Sequence, residues 1–213
     1  MLKRLGNEAQ STSNTSDYEN LEQGEYEARL VYVGDLGLQE RNFQGEEKPP
    51  AQQLSLGLEL VDSTVMIDGI EQPRLMWSKP FNIFSTLNEK GRELEMYRVF
   101  ASGAKEGEVA DWDSVLGQPC NVTVVHSKPT AEGVKYDNVQ SISPIPAKYK
   151  GGVSPARTTD VCIGDSSDLN NAATKALFGL AAYVFGKRLG ADSAPPAQAK
   201  AKPADDLHDD IPF

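Results

Sequence analysis

The feature that most constrains the fold is a stretch of strict alternation between residues 54 and 61. Leucine occupies every second position, at Leu54, Leu56, Leu58 and Leu60, and the positions between them hold Ser55, Gly57, Glu59 and Val61. A period of two places successive side chains on opposite faces of a β-strand. The stretch therefore predicts a strand with one face in a hydrophobic core. Gly57 lies on the other face, where it permits a bend or a close approach, or is an ordinary strand residue.

Four further stretches predict four more strands, at residues 26–32, 74–84, 120–126 and 134–142, of which the last alternates less regularly. Between the third and fourth strands, Thr86 and Glu89 have the spacing of a capping box. Apolar residues follow at helical spacing, so a helix is expected near residues 87–102. This is the element order of the OB-fold, a partly open barrel that commonly binds oligonucleotides. We predict a mainly β, OB-fold-like five-stranded barrel with a helix between strands 3 and 4.

The rest of the chain divides by composition. Residues 1–20 are polar without periodicity, which predicts a flexible N-terminal arm. Residues 21–190 form one domain, with an added C-terminal helix at about 168–189 whose apolar stripe suits packing on the barrel or on a second subunit of a homo-oligomer. Residues 191–204 are rich in Ala and Pro and predict a disordered linker. A disordered acidic tail is expected at residues 205–213.

The charge of the chain argues against a nucleic-acid binder, because phosphate contact usually requires a basic excess. The formal net charge is −10. The distribution offers a counter-argument: residues 74–105 carry six bases and three acids, and residues 128–157 carry five bases and two acids. We therefore expect a local basic groove on an acidic protein.

Binding of single-stranded DNA would use exposed aromatic rings on which bases stack, beside cations that follow the phosphates. The candidate rings are Phe43, Trp77, Phe81, Phe84 and Tyr136. The candidate cations are Arg41, Lys48, Arg74, Lys79, Lys128 and Lys135. For Trp77 and Phe81 a place in the core is an equal alternative, since a barrel must fill its interior. Phe43 is the strongest candidate because its polar loop offers little core to join.

The sequence contains no set of residues that would support catalysis. There are two cysteines, Cys120 and Cys162, without a CxxC motif, and two histidines, of which His126 lies at an inward strand position. We expect reduced, structural thiols, a satisfied core histidine, and neither cofactor nor metal. A nuclease accessory is disfavoured on this ground, and no enzyme is expected.

The acidic tail combines charge with apolar side chains that a solvated tail does not need. Its four acids are Asp205, Asp206, Asp209 and Asp210, and its last three residues are Ile211, Pro212 and Phe213. An aromatic anchor, a terminal carboxylate and diffuse negative charge suit a hydrophobic pocket with a basic rim. The tail is therefore predicted to bind partner proteins.

The ending Asp209 to Phe213 resembles the C-terminal peptide through which bacterial single-stranded DNA-binding proteins recruit repair and replication enzymes. The body is similar to a family of phage proteins that are encoded among replication genes and taken to bind single-stranded DNA. The segments that carry this resemblance are Gly24–Tyr26, Gln44–Ala51, Leu116–Cys120 and Asn138–Pro146, within residues 22–190. The host-type tail is a departure from that family and suggests capture of host partners.

From these observations we expect sequence-independent binding and protection of single-stranded DNA in phage replication or recombination. Replication, recombination or repair proteins of the phage or the host would be recruited through the tail. The alternative is a non-enzymatic adaptor that uses the barrel for protein contact and the tail for docking, and the acidic body suits it. No apolar run is long enough to span a membrane and no signal peptide is evident, so the cytoplasm is expected, that of the host if the chain is phage-encoded.

Overall fold

The chain is dominated by one β-sheet of seven strands, among the residues that the computed structural model describes, 19–67, 69–131 and 133–190. The strands are β1 (Gly24–Phe43), β2 (Glu46–Ile67), β3 (Ile70–Trp77), β4 (Phe81–Asn82), β5 (Pro119–His126), β6 (Asp137–Pro144) and β7 (Cys162–Gly164). The sheet order is β3-β2-β1-β5-β6, with β4 paired to β2 and β7 paired to β1. All pairings are antiparallel except that of β7 with β1. The mainly β prediction is confirmed.

Strand β1 changes faces part of the way along its length. Its register with β2 shifts between Leu30 and Tyr32, opposite Leu58 and Gly57, so that Val31 is an extra residue. A one-residue bulge reverses which side chains point inward. Ala28, Leu30 and Val33 accordingly pack in the main core. Val31 and Tyr32 belong to a second apolar cluster on the other face of the sheet.

Gly57 is required by this second cluster. A Cβ at this position would lie 2.8 Å from the Cβ of Tyr32 and 3.1 Å from the ring of Trp77. Such distances are below ordinary van der Waals contact, so only glycine fits without a shift of its neighbours. Of the possibilities that the sequence offered for Gly57, the structure therefore shows the close approach, between the β2 backbone and the side chains of Tyr32 and Trp77.

The helix between the third and fourth predicted strands is present but begins later than expected. Helix α1 covers Arg92–Phe100 and is followed by a 3-10 turn at Asp113–Val115. The capping-box prediction is wrong: the N-cap is Gly91, without a side-chain cap, and the Glu89 carboxylate instead accepts from Arg98 at 2.8 Å. Leu94, Tyr97 and Phe100 are buried in the main core, as the helical spacing predicted.

The predicted long C-terminal helix is two short helices. They are α3 (Ala172–Lys175) and α4 (Gly179–Gly186), after a single turn of helix, α2 (Ala147–Lys150), that follows β6. Phe178 has an extended backbone and Gly179 has a φ of 59°, a left-handed conformation that ends one helix before the next begins. Helix α4 is fixed to β1, since the Gln39 amide donates to the Val184 carbonyl at 2.9 Å. No described helix is long and apolar enough to cross a membrane.

A buried ion pair joins the two ends of the sheet. The Arg74 guanidinium of β3 donates to the Asp137 carboxylate of β6 at 2.8 Å, and the two side chains are 5% and 0% exposed. The same carboxylate accepts from the Leu21 backbone amide at 3.0 Å, and His126 lies 3.5 Å from it. Strands at opposite ends of the pairing order are therefore held together by side chains.

We predict that Asp137→Ala lowers the free energy of unfolding by about 3–5 kcal/mol, because it leaves a buried guanidinium without its carboxylate. Urea unfolding measures this change. Glu71→Ala is the control, since its 3.6 Å pair with Arg157 is exposed on both sides and its loss should matter far less. Equal stability of the two variants would contradict a structural role for the buried pair.

A second prediction concerns Glu93, in the first turn of α1. Burial raises the pKa of its carboxyl above the usual range, although the carboxylate accepts from the Phe84 amide at 3.3 Å and the Trp112 indole at 3.4 Å. A folded-state pKa above the unfolded one means that the folded protein prefers the protonated form. The carboxyl thus favours folding below its ordinary pKa, and that contribution is lost as the pH rises through the raised value.

Glu93→Gln removes the buried charge and keeps the shape of the side chain. It should stabilise the protein at neutral pH, and the gain should vanish near about pH 4, where the parent carboxyl is protonated. Urea midpoints at the two pH values measure the effect, with the exposed Glu95→Gln as the control on the same turn. A loss of stability at neutral pH would mean that the two hydrogen bonds outweigh the cost of burying the charge.

Candidate nucleic-acid interface

The first group of predicted contacts lies on an arm formed by the ends of β1 and β2. The arm comprises β1 after Gly34 and β2 before Gln53, where the two strands pair with each other and with no other described strand. They are joined by a turn at Gln44 and Gly45. The Arg41 guanidinium donates to the Pro49 carbonyl at 3.5 Å. The Lys48 ammonium pairs with Glu46 at 2.6 Å.

This arm is a poor phosphate site. Residues 38–51 carry two bases against three acids, so the arm is net acidic. Phe43, predicted in a loop, lies in β1 opposite Glu46, and its side chain is outside the described part of the structure. Nothing in the described arm supplies an exposed ring beside an unpaired cation.

The second group, around the third predicted strand, is mostly internal. Arg74 is buried in its ion pair with Asp137, and Phe81 is buried in the main core, so neither side chain is exposed to a nucleotide. The prediction for Arg74 is corrected by this burial, whereas Phe81 has the core position that the sequence left as an equal alternative. Lys79 is exposed, and Phe84 is half exposed beside the start of α1. Lys79 and Phe84 are therefore the two exposed residues of this group, and Trp77 is partly buried.

Trp77 is partly buried and packs against the second apolar cluster. Its ring stacks on Tyr32, with 6.2 Å between centroids and 8° between planes. The indole donates to the Ala176 carbonyl at 3.1 Å, which ties it to the residue that caps α3. A Cβ at Gly34 would lie only 2.9 Å from the indole ring. Because the ring lies between the sheet and the C-terminal helices, it is not an open stacking platform.

The face of the sheet that holds Trp77 is covered by the chain that follows β6. We call residues 145–190 the C-terminal segment. The Arg29 guanidinium donates to the carbonyls of Val153 and Ser154 at 2.6 and 2.7 Å. The Glu59 carboxylate, directly opposite Arg29 in the β1–β2 pairing, accepts from the amides of Arg157 and Thr158 at 2.6 and 2.9 Å. Strand β7 then pairs with the edge of β1 and extends the sheet, and α3 packs against Tyr32 and Trp77 on this face.

The third group, in the loop between β5 and β6, is exposed. Lys128, Lys135 and Tyr136 all lie at the surface, and Tyr136 is about half exposed. Ser127 and Tyr136 hold the loop base together: the Ser127 amide donates to the Tyr136 carbonyl at 2.8 Å, and the Tyr136 amide donates to the Ser127 hydroxyl at 3.0 Å. The structure thus brings these three predicted residues together.

The predicted contacts do not form one continuous set. The β5–β6 loop lies beside the start of β1, where Gly24 pairs with Val124, whereas the arm is the end of the same 20-residue strand. The tail residues Asp205, Asp206, Asp209, Asp210, Ile211, Pro212 and Phe213 lie outside the described residues, as do residues 1–18 and the linker.

Two exposed tyrosines were missed by the sequence reasoning. Tyr149 of α2 is 58% exposed, with the Lys148 ammonium 4.6 Å from its ring centroid. Tyr183 of α4 is 47% exposed, with the Lys187 ammonium 4.2 Å from its centroid. The sequence contains one indication of a basic surface here, because residues 138–159 and 169–190 contain no Asp or Glu.

A mostly apolar cleft of about 370 Å³ lies between β1, β2 and β7 and is also lined by Ile83, Trp112 and Asp165. Its lining includes the Asp35 carboxylate, which accepts from the Gln52 amide at 2.6 Å, the Gly37 amide at 2.8 Å and the Ser166 hydroxyl at 3.2 Å. These bonds stabilise the start of the arm. The Asp35 carboxylate therefore has three hydrogen-bond donors from within the protein.

The two cysteines are free thiols in different strands, Cys120 in β5 and Cys162 in β7. Cys120 is buried in the main core, where burial raises the pKa of its thiol to about 12. Cys162, in β7, lies 3.5 Å from the Asn171 side-chain oxygen. Within the described ranges, no group of three or more His, Cys, Asp or Glu residues is arranged to hold a metal ion.

A scan of the chain against protein-family models finds no match, and neither does a search of curated protein sequences.

Proposed function

We propose that this protein binds single-stranded DNA without sequence preference, protects it during phage replication or recombination, and recruits partner proteins through residues 205–213. The support comes from the order of the elements and from exposed Lys–aromatic pairs. Rings stack on any base, and ammonium groups pair with any phosphate, so such surfaces do not discriminate sequence. This chemistry needs no cofactor.

We further propose that the sheet curls into an OB-type barrel. The observation that carries this proposal is the buried Arg74–Asp137 pair, which joins β3 to β6 although four other pairings separate them in the sheet order. Helix α1 precedes β5, in the position where the OB-fold has its helix. Closure of this kind would place the β5–β6 loop beside β3, because Asp137 begins β6.

The adaptor alternative is favoured by the charge of the body. Residues 21–144 carry 11 bases against 20 acids, a net charge of −9 that repels phosphate at a distance. A protein partner with a basic surface would suit such a body. The two proposals therefore differ in whether the chain holds an oligonucleotide at all.

The DNA-binding and adaptor proposals are distinguished by titration of a fluorescently labelled oligo-dT of about 20 nucleotides, followed by anisotropy at two salt concentrations. If the chain binds DNA, affinity should fall steeply with salt, with a slope of about −0.7 in log K against log salt for each phosphate that is neutralised. Binding of oligo-dT and of a mixed sequence should be similar. If the chain shows no affinity in dilute buffer, with or without residues 205–213, DNA binding is excluded and the adaptor remains.

The acidic tail should compete with DNA for cationic surface. We predict that deletion of residues 205–213 tightens oligo-dT binding at low salt, and that the difference shrinks as salt screens the charges. The matched control keeps the length and the apolar residues: Asp→Asn at positions 205, 206, 209 and 210 should tighten binding as the deletion does. Unchanged affinity in both variants would show that the tail does not compete.

A further inference from the structure

The C-terminal segment differs in charge from the protein it covers. It carries six bases, Lys148, Lys150, Arg157, Lys175, Lys187 and Arg188, against three acids, Asp160, Asp165 and Asp168. Its net charge is therefore +3, whereas residues 21–144 carry −9, from 11 bases and 20 acids. A polyanion that approaches this protein meets an attractive field over the segment and a repulsive one over most of the body.

The segment is fixed rather than loosely attached. Arg29 and Glu59 bind its first part, β7 pairs with Tyr32–Gly34 of β1, and the Leu189 amide donates to the Leu38 carbonyl at 2.8 Å. Its attachment points thus follow β1 from Arg29 to Leu38. At about 3.3 Å per residue, this is a path of roughly 30 Å along the strand. A ligand bound on the segment would therefore contact a preorganised surface.

Each end of the segment presents the same chemical unit, an exposed tyrosine with a lysine ammonium over one face of its ring, so that a base would stack on the other face. The pairs are Lys148–Tyr149 on α2 and Tyr183–Lys187 on α4. A phenol ring about half exposed offers a surface on which a base can stack, and the adjacent ammonium is within reach of the phosphate of that nucleotide. The exposed Lys175 adds a further cation between the two pairs in the sequence.

We propose that single-stranded nucleic acid binds along the C-terminal segment, with bases stacked on Tyr149 and Tyr183 and phosphates paired with Lys148, Lys150 and Lys187. The inference rests on the proposed function and gives it a location that differs from the arm and from the β5–β6 loop. Charge favours this occupant over a symmetric contact between the segments of two copies, because two segments of +3 repel each other, whereas a phosphate chain is attracted.

The test uses the full-length chain and the same labelled oligo-dT. Tyr149→Leu and Tyr183→Leu keep an apolar side chain but remove the ring, so each should weaken binding about fivefold or more, and the double variant about 25-fold or more. Lys148→Gln with Lys187→Gln should make the salt slope shallower by about 1.4, since each lysine accounts for about 0.7. Parental urea midpoints establish that the variants are folded.

Two matched variants serve as controls. Lys90→Gln with Lys105→Gln makes the same change of charge at exposed lysines of the acidic body and should leave the salt slope as it is. Tyr136→Leu removes the exposed tyrosine of the β5–β6 loop and should weaken binding less than either tyrosine variant of the segment.

The outcomes distinguish the location from the function. If the parent binds oligo-dT but the segment variants bind equally well, or if Tyr136→Leu causes the larger loss, the proposed location is wrong and the proposed function stands. If the parent does not bind, the function itself is excluded. If Tyr183→Leu changes only the molecular mass in solution, the patch is a contact between copies of the chain, which also overturns the proposal.

Discussion

The rest of the architecture depends on the one-residue bulge in β1. With Val31 inserted opposite Leu58 and Gly57, a single strand contributes Leu30 and Val33 to the main core and Val31 and Tyr32 to the cluster on the other face. In a regular strand Tyr32 would lie on the main-core side and Val33 on the other face, so the stack of Tyr32 on Trp77 could not form. The bulge therefore determines which side chains of β1 each of the two apolar clusters receives.

Polar side chains fix where the segment crosses the sheet. Arg29 and Glu59 are cross-strand neighbours of opposite charge, but neither is ion-paired to the other in the bonds described: each binds backbone groups of the segment instead. A charged group that is removed from water needs such partners, so the two side chains specify the position of the segment as well as holding it. Apolar contact alone, largely with alanines, would specify it poorly.

Sequence periodicity predicted the strands because each buries one face, and it predicted the apolar face of α1 for the same reason. It could not predict the bulge, since Val31 and Tyr32 are compatible with either face until the pairing with β2 is known. It also merged α3 and α4, because the stripe from Leu169 to Phe185 has helical spacing across Phe178 and Gly179. Arg74 was assigned to DNA because residue type does not reveal burial, and its buried pair joins residues 63 positions apart. The same ambiguity left Phe81 between a DNA contact and the core.

The covered sheet face changes where a nucleic acid could bind on a protein of this kind. An OB-like sheet would ordinarily offer the outer face of its second and third strands, and Trp77 and Tyr32 would be suitable rings there. Here Tyr32 is buried and Trp77 is partly buried against α3, so a ligand on that face would have to break the bonds of Arg29, Glu59 and Trp77 to the C-terminal segment. Breaking these bonds is costly, whereas the outer surface of the segment is already exposed and basic. If the chain binds single-stranded nucleic acid as proposed, the outer surface of the C-terminal segment is therefore better suited to the contact than the sheet face that the segment covers.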